Sequence, residues 1–475
     1  MSNPLCHGQA RTAGQGETRL RPFADDILKK AGGNVFRCYQ CVKCTSGCPL
    51  ADQFDLTPNQ VMRSLQLGDP TVLESRAIWL CASCHTCTTR CPQDIDVTRI
   101  MDALRIEARR RGVTPAVPAV ATFNDLFLHA IKMLGRNYEL GFMAAFNTVL
   151  RRPFRDAGLG LRMLAKGKLK LLPDVVRAKE GNKKPAAAPG AVAYYPGCSM
   201  DSSAAEYGGS VLAVAQALGL ELIEIEDWVC CGSSSAHATD AKLANVLPMR
   251  AVAAAEQMGL KTVVSPCSAC FARLKESEHA VGNDQRIAGE VESEIGYAYR
   301  GSVEVRHLMD VVVEKMGLDE VKERVTKPLS GLTVACYYGC LITRPPAITG
   351  AENAEYPIKM DRIVRSLGAR TVDWSHKTEC CGASLSITQT PVALKLIGRV
   401  MENAIASGAE AIVTMCPMCH LNLDTRQGGL GLEKEIPVFQ ATQLMALAFG
   451  LGPKKACLGN NLVDPRPFLG KKGLL

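Results

Sequence analysis

Eight cysteines in the first quarter of the chain fall into two runs of one spacing. Cys38, Cys41, Cys44 and Cys48-Pro49 read C-x-x-C-x-x-C-x-x-x-C-P, and Cys81, Cys84, Cys87 and Cys91-Pro92 read it again. Three thiolates two residues apart can wrap one face of a cubane [4Fe–4S] cluster while backbone N–H groups bond its sulfurs. The fourth cysteine of each run turns away to ligate the neighbouring cluster. This logic expects one cluster on Cys38, Cys41, Cys44 and Cys91, and a second on Cys81, Cys84, Cys87 and Cys48. Zinc is the competing use of four cysteines, but it favours paired C-x-x-C hooks rather than two such runs. His85 sits inside the second run, either tuning that cluster or standing by on its loop.

Ten further cysteines form two sets of five. The first is Cys198, Cys230, Cys231, Cys267 and Cys270; the second is Cys340, Cys380, Cys381, Cys416 and Cys419. A regular cubane takes four thiolates. The Cα atoms of an adjacent pair are only ~3.8 Å apart, so a Cys-Cys pair favours bridging or neighbouring irons over two ordinary corners. Five thiolates that include such a pair point to an opened, unusual cluster. Gly232 and Gly382, which follow the pairs, permit close backbone approach. Cys6, Cys336 and Cys457 fit no set. Cys6 and Cys457 read as incidental, whereas Cys336, in ACYYGC, is near enough to Cys340 to act behind the cluster.

The elements that must hold these residues change character along the chain. Residues 1–33 are polar and Gly-rich and are expected as a loose arm. Residues 34–112 carry the two runs in a small helical domain. Residues 113–190 read as a helical basic connector, ending in a linker from Ala178 to Gly190. From Ala191 the pattern alternates strand and helix. VAYYPGC, ELIEIEDWVCC and KTVVSPC read as strands running into cysteine, and TVACYYGC, ARTVDWSHKTECC and EAIVTMC repeat the order. This maps Cys198 onto Cys340, Cys230/Cys231 onto Cys380/Cys381, and Cys267/Cys270 onto Cys416/Cys419, an internal duplication. The expected fold is therefore α+β and multidomain. A helical two-cluster ferredoxin-type domain precedes two duplicated α/β, Rossmann-like lobes at 191–330 and 331–450, with a tail at 451–475. In such sheets, ligands sit beyond the carboxyl ends of the strands, where the cysteines fall.

Composition narrows the compartment and the partners. The chain is 47% hydrophobic and 21% charged, the balance of a soluble globular protein. The most apolar stretch, Leu126 to Leu150, is interrupted by Lys132, Arg136, Asn137 and Glu139, so no membrane span is expected. The start lacks the apolar core of a secretory signal. The expected location is the cytoplasm, with the membrane reached only through a partner. Twenty-one cysteines in that compartment are not a disulfide framework. The formal net charge of +8 is concentrated in residues 101–190, which include Arg151, Arg152, Arg155, Arg162, Lys166, Lys168 and Lys170. With no aromatic interleaving and no nucleic-acid motif, this segment reads as a solvated face or a docking surface for an acidic redox partner.

The motifs also carry a family resemblance. YYPGCS, VCCGSSS with SPCSAC, CYYGCLITRP, ECCGASLS and CPMCHLNLDTRQ resemble the B subunit of heterodisulfide reductase. CYQCVKCTSGCPLA, AIWLCASCHTCTTRCP, LGRNYE and KGKLKLLP resemble its C subunit. Over about 34–450 the chain is similar to a fused C–B protein, ordered like the D subunit of the membrane-linked version. The resemblance implies that each five-cysteine set binds a noncubane [4Fe–4S] cluster and that the two clusters face one another across a small-molecule disulfide. It further implies reductive S–S cleavage, or thiol oxidation in reverse, fed by two cubane [4Fe–4S] clusters. The implied partner is a flavin- and iron–sulfur-containing A-type subunit or a membrane cytochrome b.

Iron–sulfur subunits of glycolate- or lactate-oxidase-like systems also join two ferredoxin motifs to Cys-Cys-Gly lobes, and an electron-bifurcating complex could use such a chain as a bare relay. These remain the alternatives. Completeness of both five-cysteine sets favours the reductase type. Near them, Arg344 either holds an anionic substrate group or pairs with a carboxylate of its own lobe. His237, His376 and His420 lie close enough in sequence to cluster cysteines for any one to donate a proton to a leaving thiolate.

Overall fold

The computed structural model describes residues 21–176 and 190–475. Cys6 and most of the expected linker lie outside them.

Each lobe is built on a four-stranded parallel sheet. The first contains β1 (Val192–Tyr194), β2 (Leu222–Glu224), β3 (Thr262–Ser265) and β4 (Glu304–His307), in the order β2-β1-β3-β4. The second contains β5 (Thr333–Tyr337), β6 (Arg370–Thr371), β7 (Ala411–Thr414) and β8 (Val438–Gln440), in the matching order β6-β5-β7-β8. All four residues of β3 and of β7 are buried, because helices cover both faces of a parallel sheet. The sequence did not mark β4 and β8. VEVRHLMDVVV and PVFQATQLMALA pass from strand to helix without the Gly, Pro or Asn that punctuates such a junction.

The twin lobes bury the same elements on each other. Helix Ala205–Leu218 of the first packs on helix Ala441–Ala448 of the second, with Ser210 Oγ and Thr442 Oγ1 2.7 Å apart. Reciprocally, helix Lys359–Ser366 of the second packs on the turns after β4, where Lys359 Nζ lies 2.8 Å from Asp310. Tyr194, Val211, Phe439 and Leu444 share one core. This is an isologous contact within one chain.

The ferredoxin-type domain is a cluster of short helices. Ile27, Val61, Leu65, Trp79 and Leu104 form its core, and Leu385 and Leu396 of the second lobe complete it. Helix Arg21–Ala31 occupies the stretch expected as a loose arm. Its Phe23, Ile27 and Ala31, one turn apart, are buried, and Lys30 Nζ reaches Glu107 at 2.7 Å. Within RPFADDILKKA the apolar residues are interrupted by pairs of charges, too short a pattern to mark this helix beforehand. The expected tail is also packed: Leu458, Asn461 and Leu469 are buried, and Asn461 Nδ2 donates to the Val438 carbonyl at 2.8 Å. Lys168 of the basic connector is buried as well, 2.5 Å from Glu206, where pairing offsets the cost of removing both charges from water.

Candidate iron–sulfur centres

The cysteines gather beyond the carboxyl ends of three adjacent strands, β2, β1 and β3 in the first lobe and β6, β5 and β7 in the second, across the point where strand order reverses. Cys267 caps helix Ser268–Asn283 and Cys416 caps helix Pro417–Thr425, so Cys270 and Cys419 fall in first turns. Helix N-termini favour the thiolate. Within the first set, Cys231 and Cys270 have sulfurs 3.4 Å apart, Cys230 touches Cys198, and Cys267 touches Cys270. Within the second, Cys381 and Cys419 have sulfurs 3.7 Å apart, Cys380 touches Cys340, and Cys416 touches Cys419. Each set is thus brought together.

Glycine floors both sites. Gly197 and Gly339, at φ +82° and +68°, lie so close that a Cβ would stand 2.8 Å from Cys270 Sγ and 2.9 Å from Cys419 Sγ. Gly232 and Gly382, at φ +78° and +73°, turn the chain after the Cys-Cys pairs. Five soft sulfur donors in a largely buried, glycine-floored pocket fit an iron–sulfur cluster. Among the described residues, no three His, Cys, Asp or Glu side chains close around a single metal ion.

Two tyrosines back the sets, and the sequence reading passed over them. Tyr195 and Tyr337 are fully buried with the cysteines of their own lobes around them. Each is pinned by its hydroxyl, which donates to the Val229 carbonyl at 2.7 Å and to the Glu379 carbonyl at 2.6 Å, respectively. The repeated YYPGC and YYGC contained the signal. Cys336, expected behind the cluster, instead points into the core shared by the lobes. Successive strand residues face opposite ways, so its neighbour Tyr337 takes the cluster side.

The two sets meet. Cys267 of the first lobe contacts Cys416 of the second side chain to side chain. A cavity of ≈ 80 Å³ is lined by all five cysteines of the second set and walled by His237, Ser268 and Arg273 of the first lobe and Ser83 of the ferredoxin-type domain.

In the ferredoxin-type runs, Gln40, Val42, Ser83 and His85 have positive φ. Such alternation of backbone hand turns successive N–H groups inward as a nest for an anion or cluster. Cys48 lies beside Cys84 and Cys81 as well as Cys44, and Cys87 lies beside Cys81, Cys84 and Cys48. Cys91 shares the surroundings of Tyr39 with Cys41 and Cys38. Burial pushes the Cys81 thiol up to about 11, so ionisation there is favoured only when a cation replaces the proton. Cys84 reaches out of its run to contact Cys380 of the second lobe.

The remaining candidates separate. His237 Nδ1 lies 2.8 Å from Asp102 Oδ2, which also pairs with Arg105, so a carboxylate of one domain orients an imidazole of another. Burial, with Arg273 and Arg105 nearby, pushes His237 down despite Asp102. Asp102, though buried, is held well below the usual carboxylate range by His237 and Arg105. Nδ1 therefore carries the hydrogen and Nε2 is left as the proton acceptor. His420 is buried, with Nε2 2.9 Å from the Val438 carbonyl, and is pushed down to about 3 by burial and then by Lys168. His376 bonds Ser375 Oγ, and neither it nor His420 borders the cavity. His85 lies 3.6 Å from Glu276. Arg344 is buried. It donates to Thr86 Oγ1 at 2.8 Å, to the Thr378 carbonyl and Oγ1 at 2.9 Å, and to Glu355 at 2.9 Å. This is the carboxylate pairing left open by the sequence, extended into a clamp on the second ferredoxin-type run.

Two interlocked ferredoxin-type runs set against twin Cys-Cys-Gly lobes define an iron–sulfur electron-transfer protein. Two family models match: a cysteine-rich domain over 192–275 and again over 334–424, and a 4Fe-4S dicluster domain over 37–96. The chain is 34% identical to the 8-methylmenaquinol:fumarate reductase membrane anchor subunit of Wolinella succinogenes over 57% of its own length and 96% of that protein. It is 29% identical to the B subunit of the ferredoxin/F420H2-dependent CoB-CoM heterodisulfide reductase of Methanosarcina acetivorans, over 54% and 88%. It is 35% identical to a C-type iron-sulfur subunit of the CoB–CoM heterodisulfide reductase of Methanocaldococcus jannaschii, over 25% and 62%. A probable glycolate oxidase iron-sulfur subunit of Bacillus subtilis is 22% identical over 85% of this chain and 90% of that one. The chain belongs to the heterodisulfide reductase-like family of cysteine-rich (CCG) iron–sulfur proteins, with the C-type dicluster domain fused ahead of the B-type lobes.

Proposed function

We propose that this chain passes electrons through two cubane [4Fe–4S] clusters to two noncubane [4Fe–4S] clusters, where a small-molecule disulfide is cleaved reductively or two thiols are joined in reverse. The observation that carries this reading is the meeting of the two five-cysteine sets through Cys267 and Cys416, beside a cavity that also reaches the ferredoxin-type domain. Bound to these cysteines, the clusters supply one-electron transfer and an iron able to take a substrate sulfur.

The chain's own residues do the rest. Cleavage of a disulfide consumes two electrons and two protons and yields two thiols. Cys84 against Cys380 connects the ferredoxin-type run to the second lobe, and Cys416 against Cys267 connects the second lobe to the first. His237, oriented by Asp102 at the cavity wall, is the group placed to exchange a proton with the substrate thiol. Arg344 serves as a clamp between domains rather than as an anion receptor. The electron donor is a flavin- and iron–sulfur-containing A-type subunit or a membrane cytochrome b. The name of the Wolinella relative, a membrane anchor subunit of a quinol-linked reductase, supports the membrane route. The similarity to a glycolate oxidase iron-sulfur subunit favours a second reading, in which the chain only relays electrons.

Iron analysis and a donor assay test the proposal together. Anaerobically prepared protein is expected to hold about 16 Fe per chain, four for each of four clusters, and to reduce a disulfide with reduced viologen as donor. About 8 Fe in well-folded protein, or zinc in place of iron, contradicts it.

A further inference from the structure

We infer that this chain touches an anionic lipid bilayer directly, through the loop Arg151–Asp156 and the helices on either side of it. The loop joins helix Glu139–Val149 to helix Ala157–Ala165. Its base is pinned to the second lobe: Arg155 Nη2 donates to Thr390 Oγ1 at 2.7 Å, and Arg426 Nη1 donates to Asp156 Oδ1 at 2.9 Å. From this fixed base Phe154 stands 86% exposed, with Leu161 68% exposed on the following helix. Arg151, Arg152 and Arg162, close to them in sequence, are exposed, and none pairs with a carboxylate among the described residues. At the other end of helix Glu139–Val149, about 16 Å away at the helical rise, Leu171 and Leu172 are 68% and 79% exposed beside Lys170.

Exposed apolar side chains set beside arginines that have no carboxylate partner are the combination that an anionic bilayer surface takes up. The geometry favours a bilayer over a protein. A protein interface needs a broad patch matched by a complementary one. A single aromatic on an anchored loop needs only the soft interfacial layer, which admits it without a preformed pocket. The flanking arginines can keep their stems along the apolar layer and their guanidinium groups at the lipid phosphates. This contact needs no membrane-spanning helix, and among the described residues none is long and apolar enough to be one. It also needs no partner subunit between the chain and the membrane.

The test is flotation of the full, cluster-loaded chain with phosphatidylcholine–phosphatidylglycerol vesicles, against pure phosphatidylcholine. Binding is expected only to the anionic vesicles. Combining Arg151→Gln, Arg152→Gln and Arg162→Gln should lower partitioning about a hundredfold, about fivefold per arginine, with cluster absorbance unchanged. The three native tryptophans are buried, so Phe154→Trp adds a distinct reporter whose emission should shift to the blue on anionic vesicles. No partitioning by the intact chain, or undiminished partitioning by the triple variant, overturns the inference. A blue shift of that reporter on adding a co-purifying subunit without lipid also overturns it, in favour of a protein interface.

Discussion

Cys84 of the second ferredoxin-type run and Cys380 of the second lobe meet side chain to side chain. Arg344 holds the two elements together by bonding Thr86, two residues beyond Cys84, and Thr378, two residues before Cys380. The junction predicts a defined effect for Arg344→Gln. Several charge-assisted bonds of a buried guanidinium are lost at once, costing about 2–3 kcal/mol; the salt bridge to Glu355 adds little because that carboxylate is 41% exposed. Anaerobic denaturation should show the loss. Stopped-flow reduction should show the ferredoxin-type clusters filling at the normal rate and the lobes filling late. Unchanged kinetics in the lobes would remove Arg344 from the electron path.

Gly197→Ala and Gly339→Ala should each damage one site and spare the other. The added Cβ meets a cluster cysteine at under 3 Å from a left-handed backbone. Each variant is expected to lose about four irons. Gly219→Ala has the same hand of backbone but open space around it, and should keep its iron.

Cys48→Ser should perturb the cluster of Cys81, Cys84 and Cys87, because the fourth cysteine of each run serves the neighbouring cluster. Electron paramagnetic resonance of the reduced variant reads this directly. Damage confined to the cluster of Cys38, Cys41 and Cys44 would refute the crossed arrangement.

His237→Gln is expected to slow disulfide reduction about a hundredfold with all four clusters intact. Asp102→Asn should move the rate the same way, since an amide no longer fixes the hydrogen on Nδ1. His376→Gln serves as the control and should leave the rate unchanged. A wild-type rate in His237→Gln would return the proton to solvent.

What the sequence made legible follows the physics of local signals. Cysteine spacing and its repetition gave both runs, both five-cysteine sets and the duplication, because ligand geometry is written in short intervals. The short strands β4 and β8 were missed because no turn residue separates them from the next helix. Helix Arg21–Ala31 and the packed C-terminus depend on long-range partners, Glu107 and Val438, that no window of sequence contains. For the same reason Arg344 and His237 could be shortlisted but not assigned: Thr86 and Asp102, which orient them, come from another domain. Cys336 was misplaced by reading distance along the chain where alternation across the strand decides.

If both five-cysteine sets take part in breaking one disulfide, neither set suffices alone. The most direct measurement is disulfide reduction with reduced viologen by Cys231→Ala and Cys381→Ala, one substitution in each lobe. Each single variant is expected to lose the activity while the ferredoxin-type signals persist. Full activity in either variant contradicts it, as does a wild-type chain with all four clusters occupied that reduces nothing across a broad panel of disulfides.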